Sequence, residues 1–240
     1  MKKITLRILL IVAAIFLLFA AAYGIYAIPM FFMDSVQTGR IINTNIYALN
    51  NTKNTVYLMR VNKGYVMIDA GLNSKKLKSS LEEINIDTNE ITSIFITHSD
   101  GDHVAALALF PNADIYMSKD EIPLINGEAK RIFFGGNRLP SGIGIERIIP
   151  LSNGQELTFN GTKIKCISAP GHTTGSMLYL LDDRYLFTGD AFKIRNKNIS
   201  VHPYSMNTDL SKKIIEEMRD TINKCQAVFT SHYGIHNLAN

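Results

Sequence analysis

Residues 91–110 read ITSIFITHSDGDHVAALALF, and this stretch decides how the rest of the chain is interpreted. A β-branched strand at its start runs into four potential metal ligands within six residues: His98, Asp100, Asp102 and His103. Residues two apart on an extended segment point the same way, so His98 and Asp100 can reach one ion. Asp102 and His103 lie where the chain turns into a helix, and they can reach a second ion.

A polar helix cap is the alternative interpretation, with Asp100 or Asp102 accepting backbone N–H bonds. Capping accounts for one carboxylate, but it does not account for two carboxylates and two histidines together. Imidazole and carboxylate ligands suit Zn²⁺, and also Fe or Mn. The motif therefore predicts a metal site at a strand-to-helix junction, followed by an apolar helix over Val104–Phe110.

Three further candidate ligands follow the same arrangement, each placed in a turn after a predicted strand. His172 lies in a glycine-flanked loop, Asp190 follows Thr188-Gly189, and His232 follows the last strand. Taken singly each is weak, because a lone histidine or a Gly-Asp pair in a turn is usually solvated. Taken together they indicate ligands gathered at the ends of strands.

The remaining pattern predicts two mixed β/α halves of similar size. Strands are predicted at Ile46–Leu49, Thr55–Val61, Tyr65–Ile68, Ile91–Thr97, Ile115–Met117, Arg147–Pro150, Glu156–Phe159, Lys163–Ser168, Met177–Leu181, Tyr185–Phe187 and Ala227–Thr230. One helix is expected from the cap Asn73-Ser74 to about Ile84, and another from Asp209 to Asn223 after the cap Thr208. Two such halves predict two sheets packed face to face with helices outside, in one domain from Asp34 to Asn240.

The first 33 residues form a segment of their own. No charge lies between Arg7 and Asp34, and the run exceeds the roughly 20 apolar residues that a membrane helix needs. Three cations precede it, which predicts a single-pass anchor with a cytoplasmic N-terminus and the remaining chain outside the cell. A cleaved signal peptide ending near Ala20–Ala22 is the alternative, and it would give a secreted protein.

The charge distribution argues against nucleic-acid substrates. The formal net charge is +4, but Lys2, Lys3 and Arg7 supply three of the positive charges. The remaining chain has no basic run and no basic stripe interleaved with aromatic residues. Nucleic-acid substrates are therefore not expected, a single short nucleotide stays open, and the lipid bilayer is the expected partner of the N-terminal segment.

Other residues receive less specific predictions. Cys166 and Cys225 form no metal motif by their spacing, and two buried free thiols are expected. His202 and His236 are expected at surface positions. The segment Ile125–Gly144 is the expected insertion over a pocket.

The order of these motifs resembles the metallo-β-lactamase superfamily over nearly all of the chain beyond the first segment. The motifs are Asp69-Ala70-Gly71, His98-x-Asp100-x-Asp102-His103, Gly171-His172-Thr173-x-Gly175-Ser176, Thr188-Gly189-Asp190 and His232-x-Gly234. The resemblance implies an α/β (α+β) fold, a four-layer αββα sandwich with two metals at one edge. It assigns His98, Asp100 and His172 to site one, Asp102, His103 and His232 to site two, Asp190 to both, and a supporting role to Asp69.

The activity that the resemblance implies is hydrolysis by a hydroxide held between two divalent ions, with Zn²⁺ first and Mn²⁺ or Fe²⁺ as alternatives. The cleaved bond would be an ester, lactone, thioester, amide or phosphoester, and Asp102 would relay a proton to the leaving group. The family usually has histidine at Asp100, and the additional carboxylate favours harder metals. A mononuclear iron oxygenase and a catalytically silent, membrane-tethered metal-binding domain stay open as alternatives.

Overall fold

The computed structural model describes residues 2–41, 44–131, 137–159, 161–195 and 198–237. The chain divides into two compact units, Met1–Met33 and Asp34–Asn240. The first unit is one helix, α1 (Lys2–Phe31). Its portion Arg7–Phe31 is long and apolar enough to cross a membrane, a property that it shares with signal sequences.

The second unit begins with a seven-stranded sheet. Its strands are β1 (Gly39–Arg40), β2 (Ile46–Asn51), β3 (Asn54–Arg60), β4 (Tyr65–Ile68), β5 (Ile91–Ile96), β6 (Asp114–Ser118) and β7 (Ile148–Leu151). They lie in chain order, antiparallel from β1 to β4 and parallel from β4 to β7. The carboxyl ends of β4 and β5 therefore meet at one edge of the sheet.

A six-stranded sheet follows, in the order β15-β14-β11-β10-β9-β8. Its strands are β8 (Glu156–Phe159), β9 (Thr162–Ser168), β10 (Met177–Leu181), β11 (Tyr185–Gly189), β14 (Ala227–Thr230) and β15 (Ile235–Asn237). Strands β11 and β14 are parallel. Between them in sequence lies a separate hairpin of β12 (Phe192–Arg195) and β13 (Asn198–Val201).

Helices cover the outer faces of both sheets, which gives four layers. The helices of the second unit are α2 (Ser74–Glu83), α3 (Gly101–Val104), α4 (Ile122–Ile125) and α5 (Thr208–Lys224). Leu77 and Leu81 of α2 pack on the first sheet, and Ile214 and Met218 of α5 pack on the second. The core between the sheets joins side chains of both, including the Tyr57 ring of the first sheet, which meets the Phe187 ring of the second edge-on at 5.5 Å. The predicted αββα sandwich is confirmed.

Four hydrogen bonds tie the two sheets together beside the ends of β5 and β14. The buried Tyr57 hydroxyl donates to the Thr230 carbonyl at 2.9 Å, and the buried Tyr179 hydroxyl donates to the Ile96 carbonyl at 2.6 Å. Two backbone bonds lie alongside, Met177 N–H to Thr97 O at 2.9 Å and Thr55 N–H to Ser231 O at 2.8 Å. The segments that precede His98 and His232 are therefore fixed relative to each other.

Every predicted strand overlaps an observed one, but the helix predicted over Val104–Phe110 is wrong. The chain forms the single turn α3 and then a separate 3₁₀ turn at Leu107–Leu109. In a continuous helix the His103 carbonyl would accept the N–H of Leu107. Here it accepts the N–H of Ala70 at 2.7 Å, because the end of β4 packs against this turn.

The cap of α5 also differs from the prediction. Asn207 is the N-cap, and its side chain accepts the N–H of Leu210 at 2.9 Å, whereas Thr208 is the first helical residue. Cys166 and Cys225 are buried and free, as predicted. Part of the segment Ile125–Gly144, residues 132–136, lies outside the described residues.

Candidate metal centre

The predicted ligands converge at one edge of the sandwich, where strands from both sheets end. His98 follows β5, His172 lies between β9 and β10, Asp190 follows β11, and His232 follows β14. His98, His103, His172, Asp190 and His232 are all buried. Gly189 adopts a left-handed φ of +53° beside Thr97, where a Cβ would approach the threonine hydroxyl oxygen at 2.3 Å. Glycine therefore lets the turn that carries Asp190 approach the end of β5.

One compact group of ligand atoms comprises Asp102, His103, Asp190 and His232. His232 Nε2 lies 3.1 Å from Asp102 Oδ2 and 3.2 Å from Asp190 Oδ2. His103 Nε2 lies 3.7 Å from Asp102 Oδ2 and 3.6 Å from Asp190 Oδ2. Separations of this size are close to those between ligands of one tetrahedral ion with bonds of about 2.1 Å.

The other ring nitrogen of each histidine in this group is held by the protein. His103 Nδ1 donates to Asp69 Oδ2 at 2.8 Å, and His232 Nδ1 donates to the Lys53 carbonyl at 2.7 Å. Asp69 is 2% exposed and also accepts the N–H of Thr97 at 2.8 Å. Such contacts fix the ring tautomer and direct Nε2 toward the ion.

A second compact group comprises His98, His172 and Asp190. His172 Nε2 lies 3.7 Å from Asp190 Oδ2. His98 Nδ1 lies 3.1 Å from the Thr97 hydroxyl, whose proton goes to Asp69, so Nε2 of His98 faces the site. Asp190 belongs to both groups, which is the arrangement that a bridging carboxylate needs.

Asp100 stands at the edge of the second group. Its Oδ2 lies 3.4 Å from His98 Nε2 and 3.2 Å from His172 Nε2. The side chain makes no capping bond to α3, so the helix-cap interpretation does not account for it. Arg131 Nη1 donates to Asp100 Oδ2, and Asn137 Nδ2 donates to Oδ1 at 2.8 Å. The guanidinium therefore offsets the negative charge that Asp100 adds to the centre.

The chemistry of these side chains fits divalent metal ions. His98 Nε2, His103 Nε2 and Asp190 Oδ1 are buried with no hydrogen-bond partner within the described part of the chain. Unpaired buried polar atoms are costly unless a ligand satisfies them. Each of these histidines contacts a carboxylate, and the negative charge of these groups stabilises bound cations. The carboxylates are those of Asp69, Asp100, Asp102 and Asp190.

The pKa values of two histidines also fit a centre that binds cations. Burial and the neighbouring His103 lower the pKa of His98 to about 4, which keeps its Nε2 lone pair available. Burial also disfavours charge on His232, but Asp190 and Asp102 outweigh it and raise the pKa of His232 to about 10. The carboxylates thus favour positive charge at this end of the centre.

His202 does not lie at the surface as predicted. It is 1% exposed, and its Nε2 lies 3.6 Å from Asp190 Oδ2. Neither ring nitrogen hydrogen-bonds to a described residue, and the ring meets His172 edge-on at 4.7 Å. The β12–β13 hairpin carries it there, and the sequence signal for that hairpin was weak. His236 is half-buried, and its Nε2 lies 2.9 Å from the Tyr233 carbonyl.

Glu121 is a second residue that sequence reasoning missed. It is fully buried and accepts four hydrogen bonds, two at each oxygen. Oε1 accepts from the Ser99 N–H at 2.8 Å and hydroxyl at 2.7 Å. Oε2 accepts from the Thr173 hydroxyl at 2.8 Å and the Gly175 N–H at 2.9 Å. Glu121 therefore joins the loop that carries His98 to the loop that carries His172.

Residues 50–232 match the family model of the metallo-beta-lactamase superfamily. The probable polyketide biosynthesis zinc-dependent hydrolase BaeB of Bacillus velezensis is 33% identical over 134 residues, which cover 55% of this chain and 51% of that protein. The corresponding PksB of Bacillus subtilis is 26% identical over 179 residues, 73% of this chain and 67% of that protein. The chain thus spans about half of one relative and two thirds of the other.

Solved structures show the same fold. A B3 metallo-beta-lactamase with an active site glutamic acid superposes with a TM-score of 0.65 at 19% identity, covering 86% of this chain and 84% of that one. The subclass B3 enzyme BJP-1 of Bradyrhizobium japonicum superposes with a TM-score of 0.62 at 17% identity, covering 84% and 79%. At such identities the likeness supports the fold and not a shared substrate.

Proposed function

Because the chain belongs to the metallo-beta-lactamase superfamily, we propose that it is a hydrolase that uses two divalent metal ions. The observation that carries the proposal is the pair of compact ligand groups that share Asp190. Site one takes His98, His172 and Asp190 with Asp100 at its edge, and site two takes Asp102, His103, His232 and Asp190. Zn²⁺ is the first candidate, since it is the metal in the names of both similar hydrolases.

When bound, two such ions supply a hydroxide at neutral pH and stabilise the negative charge that develops on the substrate. The protein contributes orientation, because Asp69 and the Lys53 carbonyl hold two ligand rings in fixed directions. Asp102 is the most exposed predicted ligand, with 33% of its side chain accessible. Burial opposes ionisation of Asp102, but His103 and His232 outweigh it and hold its pKa below the usual range. Asp102 is thus ionised at neutral pH, the state that a proton acceptor needs, and its depressed pKa makes it a weak base that releases the proton readily to the leaving group.

The proposed substrate is a small molecule with an ester, lactone, thioester, amide or phosphoester bond. A water molecule adds to the acyl or phosphoryl centre, the bond to the leaving group breaks, and the leaving group takes the proton. The charge distribution of the chain favours this class over nucleic acid, because no basic stripe lies along it.

The test begins with metal content. A chain comprising residues 34–240 is expected to hold about two divalent ions on elemental analysis, and to hydrolyse at least one of a chromogenic ester, lactone, phosphodiester or β-lactam. A chelator is expected to abolish that hydrolysis, and added metal is expected to restore it. One iron per chain with oxygen consumption would favour an oxygenase instead. No binding after reconstitution would favour a silent domain.

We further propose that the N-terminal helix anchors the hydrolase unit in the cell membrane, with that unit outside the cell. Arg7–Phe31 carries no charged residue beyond its first position, and Lys2, Lys3 and Arg7 precede or begin the run. On fractionation, the full chain is expected to sediment with membranes and resist carbonate extraction. The chain from Asp34 is expected in the soluble fraction. A secreted product whose mature N-terminus lies near Ala22 would show instead that the segment is a signal peptide.

A further inference from the structure

Arg131 lies inside the metal centre. Its side chain is 2% exposed. Nη1 donates to Asp100 Oδ2 and lies 3.3 Å from His172 Nε2, and Nη2 donates to the Tyr204 carbonyl. One guanidinium nitrogen thus contacts two of the atoms that face site one.

Both atoms belong to residues that we assign to site one. Asp100 Oδ2 and His172 Nε2 are 3.2 Å apart, a separation close to that of two ligands of one tetrahedral ion. A lone pair that accepts an N–H bond is not available to a metal. The positive charge on Nη1 also repels a divalent cation at close range.

Site two has different surroundings. The ring nitrogens of His103 and His232 meet the carboxylates of Asp69, Asp102 and Asp190 and one backbone carbonyl. These groups attract a cation and hold the ligands in orientation. Arg131 therefore adds a positive charge at site one, whereas these carboxylates place negative charge around site two.

We propose that Arg131 is a built-in competitor of the first metal ion, which makes the two sites unequal. Site two fills first and tightly. Site one fills only when its ion displaces Nη1 from Asp100 Oδ2 and His172 Nε2. Asp100 and Arg131 act as one unit, because together they are neutral. The histidine that the family usually has at the position of Asp100 is neutral as well. This inference rests on the proposed two-metal function and assigns a role to a residue outside the ligand set.

The experiment is a competitive titration of residues 34–240 with Zn²⁺ against a chromophoric chelator, followed by elemental analysis. Wild type is expected to show two affinities at least about 10-fold apart. Arg131→Met is expected to tighten the weaker site by at least about 10-fold and to leave the stronger one within about 3-fold. Arg131→Lys keeps the charge and is expected to leave the weaker site weak.

The control is Arg219→Met, which removes an arginine from an exposed pair with Glu216, where Nη2 and Oε1 lie 2.7 Å apart. It is expected to change neither affinity. If Arg131→Met lowers thermal stability, the affinity of site one is measured instead in the double variant Asp100→His with Arg131→Met. It removes both charges, and it is expected to bind at site one at least as tightly as wild type.

Two equal affinities in wild type, or a weaker site one in Arg131→Met, would overturn the inference and leave the two-metal hydrolase intact. Binding of no metal by wild type and by every variant would overturn both. Two ions bound by Arg131→Met and only one by wild type would support the inference in its strongest form.

Discussion

Asp190→Asn is expected to lower kcat/KM for any hydrolysed substrate by at least about 10³-fold, which corresponds to about 4 kcal/mol of transition-state stabilisation. Asp190 Oδ2 lies within 3.7 Å of Nε2 of His103, His172 and His232. Among the residues that the structure describes, it is the carboxylate that both ligand groups share. Asparagine keeps the shape and removes the charge, so both sites lose a ligand in a single change.

The readout has two parts, steady-state hydrolysis and metals per chain by elemental analysis. Both are expected to fall in Asp190→Asn. Asp209→Asn is the matched control, because Asp209 is 89% exposed near the start of α5. It is expected to retain wild-type values. Full activity and full metal content in Asp190→Asn would show that Asp190 does not hold the ions.

Glu121→Gln is expected to destabilise the second unit by about 2–4 kcal/mol, a lowering of Tm by about 5–15 °C. The reason lies in its four hydrogen bonds, in which each carboxylate oxygen accepts from two donors. Whichever way the amide of glutamine turns, its NH₂ group faces a backbone N–H donor, that of Ser99 or that of Gly175, which cannot rotate to accept. The backbones of Gly175 and Glu121 are packed too closely for the glutamine side chain to shift away, because even a Cβ at Gly175 would approach the Glu121 backbone nitrogen at 2.2 Å.

Thermal and urea unfolding of residues 34–240 would measure this effect, both with added metal and after treatment with a chelator. Glu128→Gln is the control, because Glu128 is exposed. A loss of stability in both conditions is expected, because Glu121 joins two loops and contacts no predicted ligand atom. A Tm that is unchanged after chelation would contradict the role assigned to Glu121.

The ligand residues could be predicted from the sequence because each lies after a strand, and the strands are recognised from short stretches of sequence. The turn after β5 places four of them within six residues, and strand ends bring the others to the same edge. Their pairing into two groups around Asp190 was expected from the family resemblance, and the structure brings together both groups, with Asp100 displaced to the edge.

Residues whose partners are far away in the sequence could not be predicted in this way. Arg131 contacts Asp100 across 31 positions, and Glu121 contacts Thr173 across 52. No periodicity marks either residue, since each lies in a turn or loop between short elements. The position of His202 was wrong for a related reason, because no strand was predicted over the β12–β13 hairpin that brings it to the centre.

The helix predicted over Val104–Phe110 shows a different limit. Its composition suits a helix, and Pro111 ends it in a plausible place. The contact that overrides it, Ala70 N–H to His103 O, comes from a strand end 33 residues earlier in the chain. Local propensity was outweighed by a tertiary hydrogen bond.

The four hydrogen bonds between the sheets predict that this domain folds without metal. Tyr57 and Tyr179 join the sheets through protein groups alone, directly beside the segments that present His232 and His98. In a zinc finger, by contrast, the affinity for metal is itself the folding free energy. Here protein groups alone hold the scaffold together beside the candidate centre, so we expect the domain to stay folded when metal is removed. Under the proposed function, the metal supply in the surroundings would then set how much of the protein is active, and not how much of it is folded.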